Sequence, residues 1–179
     1  MYYVNIFFIF SLLGHIIENI VYTKVDSGIL YGIWTPIYGI GVLTIIFLYK
    51  KINAFRIKQL YKIILLFITS SITLACIETI GGYYIEIVYG RIFWSYSNHY
   101  LPIGKYTSLD MMILWGISAV GFINLCLPYI KDIIKKIPKI IPYTLIVLFL
   151  FDLYYTYTHL GRFNVFFMVF IKEFVLQIL

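Results

Sequence analysis

The chain is apolar almost without interruption over five stretches, at about 2–22, 31–49, 62–89, 108–128 and 142–160. A bilayer's hydrocarbon core, about 30 Å thick, asks for helical runs of about twenty apolar residues. A soluble domain would instead alternate polar and apolar faces. With 62% of residues hydrophobic and only 12% charged, there is not enough polar surface for water to cover. The expected fold class is therefore all-α: a polytopic integral membrane helix bundle of about five transmembrane helices. No positive stretch precedes the first run and no small-residue cleavage site follows it, so it reads as a span and not as a removable signal. A sixth run, 163–179, carries Lys172 and Glu173 near its middle. Each charge would cost about 2.5–3.5 kcal/mol at a helix centre, so this run is expected as an interfacial or sixth C-terminal helix. Residues 1–179 read as a single transmembrane domain.

The positive charges orient the bundle. Lys50, Lys51, Arg56, Lys58 and Lys62 fill the second connection, and Lys131, Lys135, Lys136 and Lys139 the fourth. The first and third carry only Lys24, Arg91 and Lys105. The positive-inside rule places the second and fourth connections, with the N-terminus, in the cytoplasm of a multi-pass cell-membrane protein. A basic edge against anionic lipid accounts for the net charge of +6 without nucleic acid. Basic loops 50–62 and 131–139 are also the places for a cytoplasmic partner to dock.

Several chemistries are excluded or weakly encoded. There is no phosphate-binding G-x-x-x-x-G-K-[ST] motif, so the chain has no P-loop with which to hydrolyse ATP. No Cys/His spacing indicates a metal site, and no cofactor is expected. Cys76 and Cys126 fall near opposite membrane faces in this topology and are expected to be separate thiols.

Ionisable groups inside the spans are where function is expected. His15 and Glu18 lie three apart, on one face of the first span. Glu78 and Glu86 lie in the third, Asp110 opens the fourth, and Asp152 and His159 lie seven apart in the fifth. Glu18 and Glu78 each stand about 24 Å up their ascending helices, in the outer half of the bilayer. The glycine-rich opening of the second run, Gly28 to Gly41, descends into the same layer. Small residues there let backbones approach, and a loosened helix start can line a polar cavity. Blander roles compete: Glu86 and Asp110 can snorkel, Asp152 with His159 can be a structural pair, and the tyrosines can form an interface belt. The third run is longer than the membrane is thick, so it is expected to break or bend at Gly81-Gly82.

These residues form a recognisable series. Gly14 and Glu18 come first, then Gly28, Gly32, Pro36, Ile37, Tyr38, Gly39 and Gly41, then Glu78 and Gly82. Arg91, Trp94, Tyr96 and Ser97 follow, then Gly104, Trp115 and Gly116. Over roughly residues 5–125 the chain resembles the putative ABC-transporter type IV membrane family, whose pattern runs G-W-x-x-E, G-F-x-x-G-P-x-x-P-I-Y-G-x-G, E-x-x-x-G and W-D-Y-S. It departs at His15 (for tryptophan), Ile33 (for proline) and Ser95 (for aspartate). The resemblance leaves a C-terminal extension, 140–179, and implies a membrane component of a transporter with a separate ATPase.

Three functions are compatible with these residues. In the first, a small transport component binds a polar or cationic solute in an outward-side pocket. Glu18 and Glu78 would be its acceptors, His15 a donor to Glu18, and Tyr38, Trp94 and Tyr96 its entrance. Gly28, Gly32, Pro36, Gly39, Gly41, Gly81 and Gly82 would shape the backbone and packing. In the second, an accessory membrane subunit uses the same residues to hold its helices together. The third, an intramembrane enzyme, needs Glu18 with His15 or Glu78 as acid and base around one reacting atom.

Overall fold

The computed structural model describes residues 1–21 and 30–159. Gly28 and the run 163–179 lie outside the described residues, so the expectations placed on them are not addressed. The described chain is all-helical, in the order α1 (Tyr2–Val21), α2 (Pro36–Asn53), α3 (Gln59–Tyr89), α4 (Leu109–Gly121), α5 (Leu127–Lys135) and α6 (Ile140–His159). A π-helical turn, Phe122–Cys126, joins α4 to α5, so these six helices form five rods. Pro128 explains the turn: its ring has no N–H to donate and crowds the carbonyl four residues back, and a wider turn relieves both. Asn124 Nδ2 donates to the Val120 carbonyl at 2.8 Å beside it.

Helices α1, α2, α3 and α4 pack each on its sequence neighbour, and α5 and α6 both reach α1. The core where they meet includes Ile6, Ile45, Ile46, Leu66, Leu74, Phe122 and Ile134. Asn5 Nδ2 donates to the Ile134 carbonyl at 3.4 Å, and Lys50 Nζ donates to the Tyr3 hydroxyl, fastening the end of the bundle that carries the basic connections. The outside is apolar: Ile72, Ile80 and Ile87 on α3, Ile117 on α4 and Val147, Leu150 and Phe151 on α6 are all more than half exposed. Such a sheath is stable only where lipid replaces water.

Among the described residues, four segments are long and apolar enough to cross a membrane: Tyr2–Ile20, Gln59–Tyr89, Leu109–Lys135 and Ile140–His159. The fifth rod, α2, falls outside that set: its glycines, its tyrosines and the pair Lys50-Lys51 lower the hydropathy of an 18-residue helix. It begins at Pro36, five residues later than the apolar run, so 30–35 enter the bundle as non-helical chain. Cys76 and Cys126 are separate thiols, as expected.

Part of one expectation is overturned: α3 does not break at its glycine pair. Helix α3 runs unbroken through Gly81-Gly82 for 31 residues, about 46 Å. Glycine lowers the cost of a break but does not force one, because its N–H still joins the helical ladder. Here the bare surface is filled from outside: the Tyr106 ring lies against Gly82, where a Cβ would overlap it, and Trp94 approaches Gly81. The helix ends at Gly90, whose φ of 65° gives the left-handed cap that glycine adopts without strain.

Candidate functional site

Residues 90–108 fold back over the end of α3 as a compact cap. Its backbone closes on itself, with Tyr96 N–H donating to the Lys105 carbonyl (2.9 Å) and Ile103 N–H to the Thr107 carbonyl (2.9 Å). Tyr106, 1% exposed, is the cap's anchor in the groove that Gly82 leaves. Its hydroxyl donates to Glu86 Oε2 at 2.7 Å, and Lys105 Nζ lies 2.5 Å from Glu86 Oε1. The Glu86 carboxylate beside Lys105 raises the lysine above its ordinary value, and burial raises the Tyr106 phenol. Glu86, read from sequence as a snorkelling side chain, is the receptor for this cap.

Two turns deeper on the same helix, Glu78 is 7% exposed. Its Oε1 accepts from the Tyr96 hydroxyl at 3.1 Å, and its Oε2 accepts from the Trp115 indole N–H at 2.9 Å. One donor comes from the cap and the other from α4, so a single carboxylate ties three elements together. None of the ion pairs among the described residues includes Glu78.

Of the sequence-predicted residues, Tyr38 is next: its ring meets Trp115 edge-on at 6.2 Å. The ring also lies over Gly14, where a Cβ would overlap it. Gly39 brings α2 against the Phe7 carbonyl and Ser11 of α1. Gly41 faces Leu74 of α3 across an ordinary contact. Pro36 starts α2 at its first turn, where a missing N–H costs nothing. Thr35 does not cap that helix with its side chain; its hydroxyl donates instead to Glu18 Oε2 at 3.4 Å. Thr35 N–H meanwhile donates to the Ser11 carbonyl at 3.0 Å. His15 is half-buried with Nδ1 buried and without a hydrogen-bond partner. Trp94 packs on Tyr106 at 5.8 Å, with its indole N–H buried and unpartnered. Glu18 and Glu78 thus both attach at the start of α2, Glu18 through Thr35 just before the helix and Glu78 through Trp115 to Tyr38 in its first turn.

Asp152 and His159 do not form the pair their spacing allowed. Asp152 Oδ1 accepts from Gly32 N–H at 2.9 Å and from Thr156 at 3.3 Å, while His159 stacks on Tyr155 with ring centroids 3.9 Å apart. A groove of about 390 Å³ opens there, between 31–34 and α6; none of Glu18, Glu78, Tyr38 and Tyr96 lines it. The sequence named Trp115 and Gly116 only as motif positions. The signal for Trp115 as a donor was a polar aromatic in the span that pairs with α3, at a carboxylate's depth. Nothing in the sequence linked Gly32 to Asp152, 120 residues away.

The sequence profile of the family described as Putative ABC-transporter type IV matches residues 5–157. The match passes beyond 125, where the resemblance ended, and takes in most of α6, which Gly32 of the second motif contacts through Asp152. No curated protein and no solved structure matches the chain. The chain belongs to the Putative ABC-transporter type IV family and is a multi-pass membrane protein.

Proposed function

We propose that the protein is the membrane subunit of a transport system, and that Glu78 is the carboxylate that meets a polar or cationic solute when the 90–108 cap lifts. The observation that carries this reading is the pair of neutral donors on a buried carboxylate, one of them on a loop. A solute's N–H or O–H can take the place of Tyr96 without unpairing a fixed charge, whereas displacing a lysine would strand one. Tyr38, behind Trp115, and Glu18, behind Thr35, transmit the position of α2 to this layer. The N-terminus is in the cytoplasm, and the basic connections 50–62 and 131–139 dock the ATPase that this chain lacks.

A second reading, an accessory subunit with no solute of its own, is favoured by the depth of Glu78 and by the position of the groove away from it. Purification in mild detergent separates the two. The transport reading expects a nucleotide-hydrolysing partner to co-purify, with Glu78→Gln leaving the complex intact but lowering its ATP hydrolysis. Glutamine's amide oxygen still accepts from Trp115 and its NH2 can donate to the Tyr96 hydroxyl, so the packing survives while the ionisable carboxyl is lost. Unchanged hydrolysis in Glu78→Gln favours the accessory subunit, and the absence of any such partner refutes the transport reading.

A further inference from the structure

The groove between 31–34 and α6 has a charged floor and aromatic walls. Asp152 is 8% exposed, whereas Tyr31 and Phe151 on the two walls are 60% and 66% exposed. Only half of the carboxylate is used. Oδ1 accepts from Gly32 N–H and Thr156, and the Thr156 hydroxyl in turn accepts from Tyr31 N–H at 3.1 Å, which pins the chain entering α2. Oδ2 is buried and has no hydrogen-bond partner, and none of the ion pairs among the described residues includes Asp152. Only glycine fits at 32: a Cβ there would come within 2.5 Å of that oxygen and 2.6 Å of the Trp34 indole nitrogen. A buried carboxylate oxygen with no donor is costly, and the cost falls when a cation or donor occupies the space before it.

The surroundings select the kind of cation. Calcium and magnesium take six or more oxygen ligands, and zinc three or four His, Cys or carboxylate donors; among the described residues no group of three metal-ligating side chains exists. Rings from both walls face the groove: Tyr31 meets Tyr155 edge-on at 5.1 Å, and Phe151 stacks on Tyr155 at 6.4 Å, one turn apart on α6. Aromatic faces around one carboxylate favour an organic cation, whose charge the rings attract and whose carbon they shield. A cavity of about 390 Å³ suits a small group of this kind.

We propose that this groove is a binding site for an alkylammonium group, with Asp152 Oδ2 accepting its N–H and Tyr31, Trp34, Phe151 and Tyr155 lining it. The ammonium can come from a free amine or from the headgroup of a membrane lipid such as phosphatidylethanolamine. The site is separate from Glu78, and either proposal can fail without the other.

The test uses the full chain, purified in detergent and stripped of lipid. Thermal unfolding is followed while ethylammonium chloride is titrated, with potassium chloride and tetraethylammonium chloride at matched ionic strength as comparisons. In parallel, native mass spectrometry counts lipids retained from mixed micelles of phosphatidylethanolamine and phosphatidylglycerol. A free-amine site gives stabilisation by ethylammonium above that by potassium. A headgroup site gives selective retention of phosphatidylethanolamine with little response to the free amine. In either case Asp152→Asn, which keeps an oxygen for Gly32 and Thr156, lowers affinity about thirtyfold or more. Phe151→Leu touches no hydrogen bond of the site and lowers affinity about two- to fivefold without changing the unliganded unfolding temperature. The proposal is overturned if neither ammonium source binds above its comparison. It is also overturned if potassium does as well as ethylammonium with no lipid preference, or if Asp152→Asn or Phe151→Leu binds like wild type.

Discussion

Replacing Trp115 with phenylalanine takes one donor from Glu78 and leaves an aromatic ring against Tyr38. The lost bond is 2.9 Å long and ends on a carboxylate that is 7% exposed. Hydrogen bonds to charged groups contribute about 1.5–3 kcal/mol, while side-chain bonds between membrane helices average about 0.6 and reach about 1.7 kcal/mol. The overlap of these ranges puts the hydrogen-bond loss near 1.5 kcal/mol, to which the smaller ring adds a packing loss. Glutamine at 78 isolates the first part. Its amide oxygen still accepts from the indole, but as a neutral acceptor, so the bond falls toward about 0.6 kcal/mol. A double-mutant cycle over Trp115→Phe and Glu78→Gln should therefore show a coupling of about 1 kcal/mol. The assay is equilibrium unfolding in mixed detergent micelles at alkaline pH, so that the buried carboxyl is ionised, followed by circular dichroism, which does not depend on tryptophan. If Trp115→Phe costs the same in both backgrounds, the indole acts by packing alone and the Glu78 layer is not held by its charge.

Neighbouring glycines should respond in opposite ways. Gly82→Ala drives a methyl into the Tyr106 ring and should cost about 1–3 kcal/mol, whereas Gly81→Ala meets atoms no closer than 3.9 Å and should be neutral or stabilising by up to about 1 kcal/mol; the same unfolding assay reads both, and equal effects would refute the assignment of Tyr106 to Gly82. The hold of Lys105 and Tyr106 on Glu86 should be insensitive to pH across the neutral range. Lys105 and Tyr106 are both raised in the folded state, so their contribution is complete below the ordinary values of 10.5 and 10.0 and is lost as pH climbs through the higher folded ones. Limited proteolysis of residues 90–108 against pH, in a His99→Gln chain that removes the imidazole paired with Asp110, checks this, and release near neutrality would contradict it. For orientation, a cysteine at Ser97 in a Cys-free chain should react with an impermeant thiol reagent outside intact cells, and cysteines at Asn53 or Lys135 should not; the reverse pattern inverts the topology.

The helices and the membrane were legible because both follow from local composition: apolar runs of the right length need no knowledge of partners. The height of Glu78 along α3 was legible for the same reason, since 1.5 Å per residue is fixed by helix geometry. Its donors were harder. Tyr96 reaches Glu78 only because the cap folds back along α3, a path set by Tyr106 lodging on Gly82 and by Lys105 meeting Glu86. Gly82 illustrates the limit well: a glycine pair reads as a weak point in a helix, yet in this chain it is the seat of a ring from another element. Gly32 is similar, for its partner Asp152 belongs to the far end of the chain and no spacing rule joins them.

The claim that Glu78 lies in a layer closed at rest and opened during transport is tested most directly by Trp115 itself. A chain with Trp34→Phe and Trp94→Phe keeps that indole as its sole tryptophan. Iodide, which stays in water, should quench its fluorescence weakly in the resting complex with the partner ATPase and strongly while ATP is hydrolysed, with the rise absent in Glu78→Gln. Quenching that is already complete at rest, or that does not change with turnover, would contradict a cap that closes over Glu78.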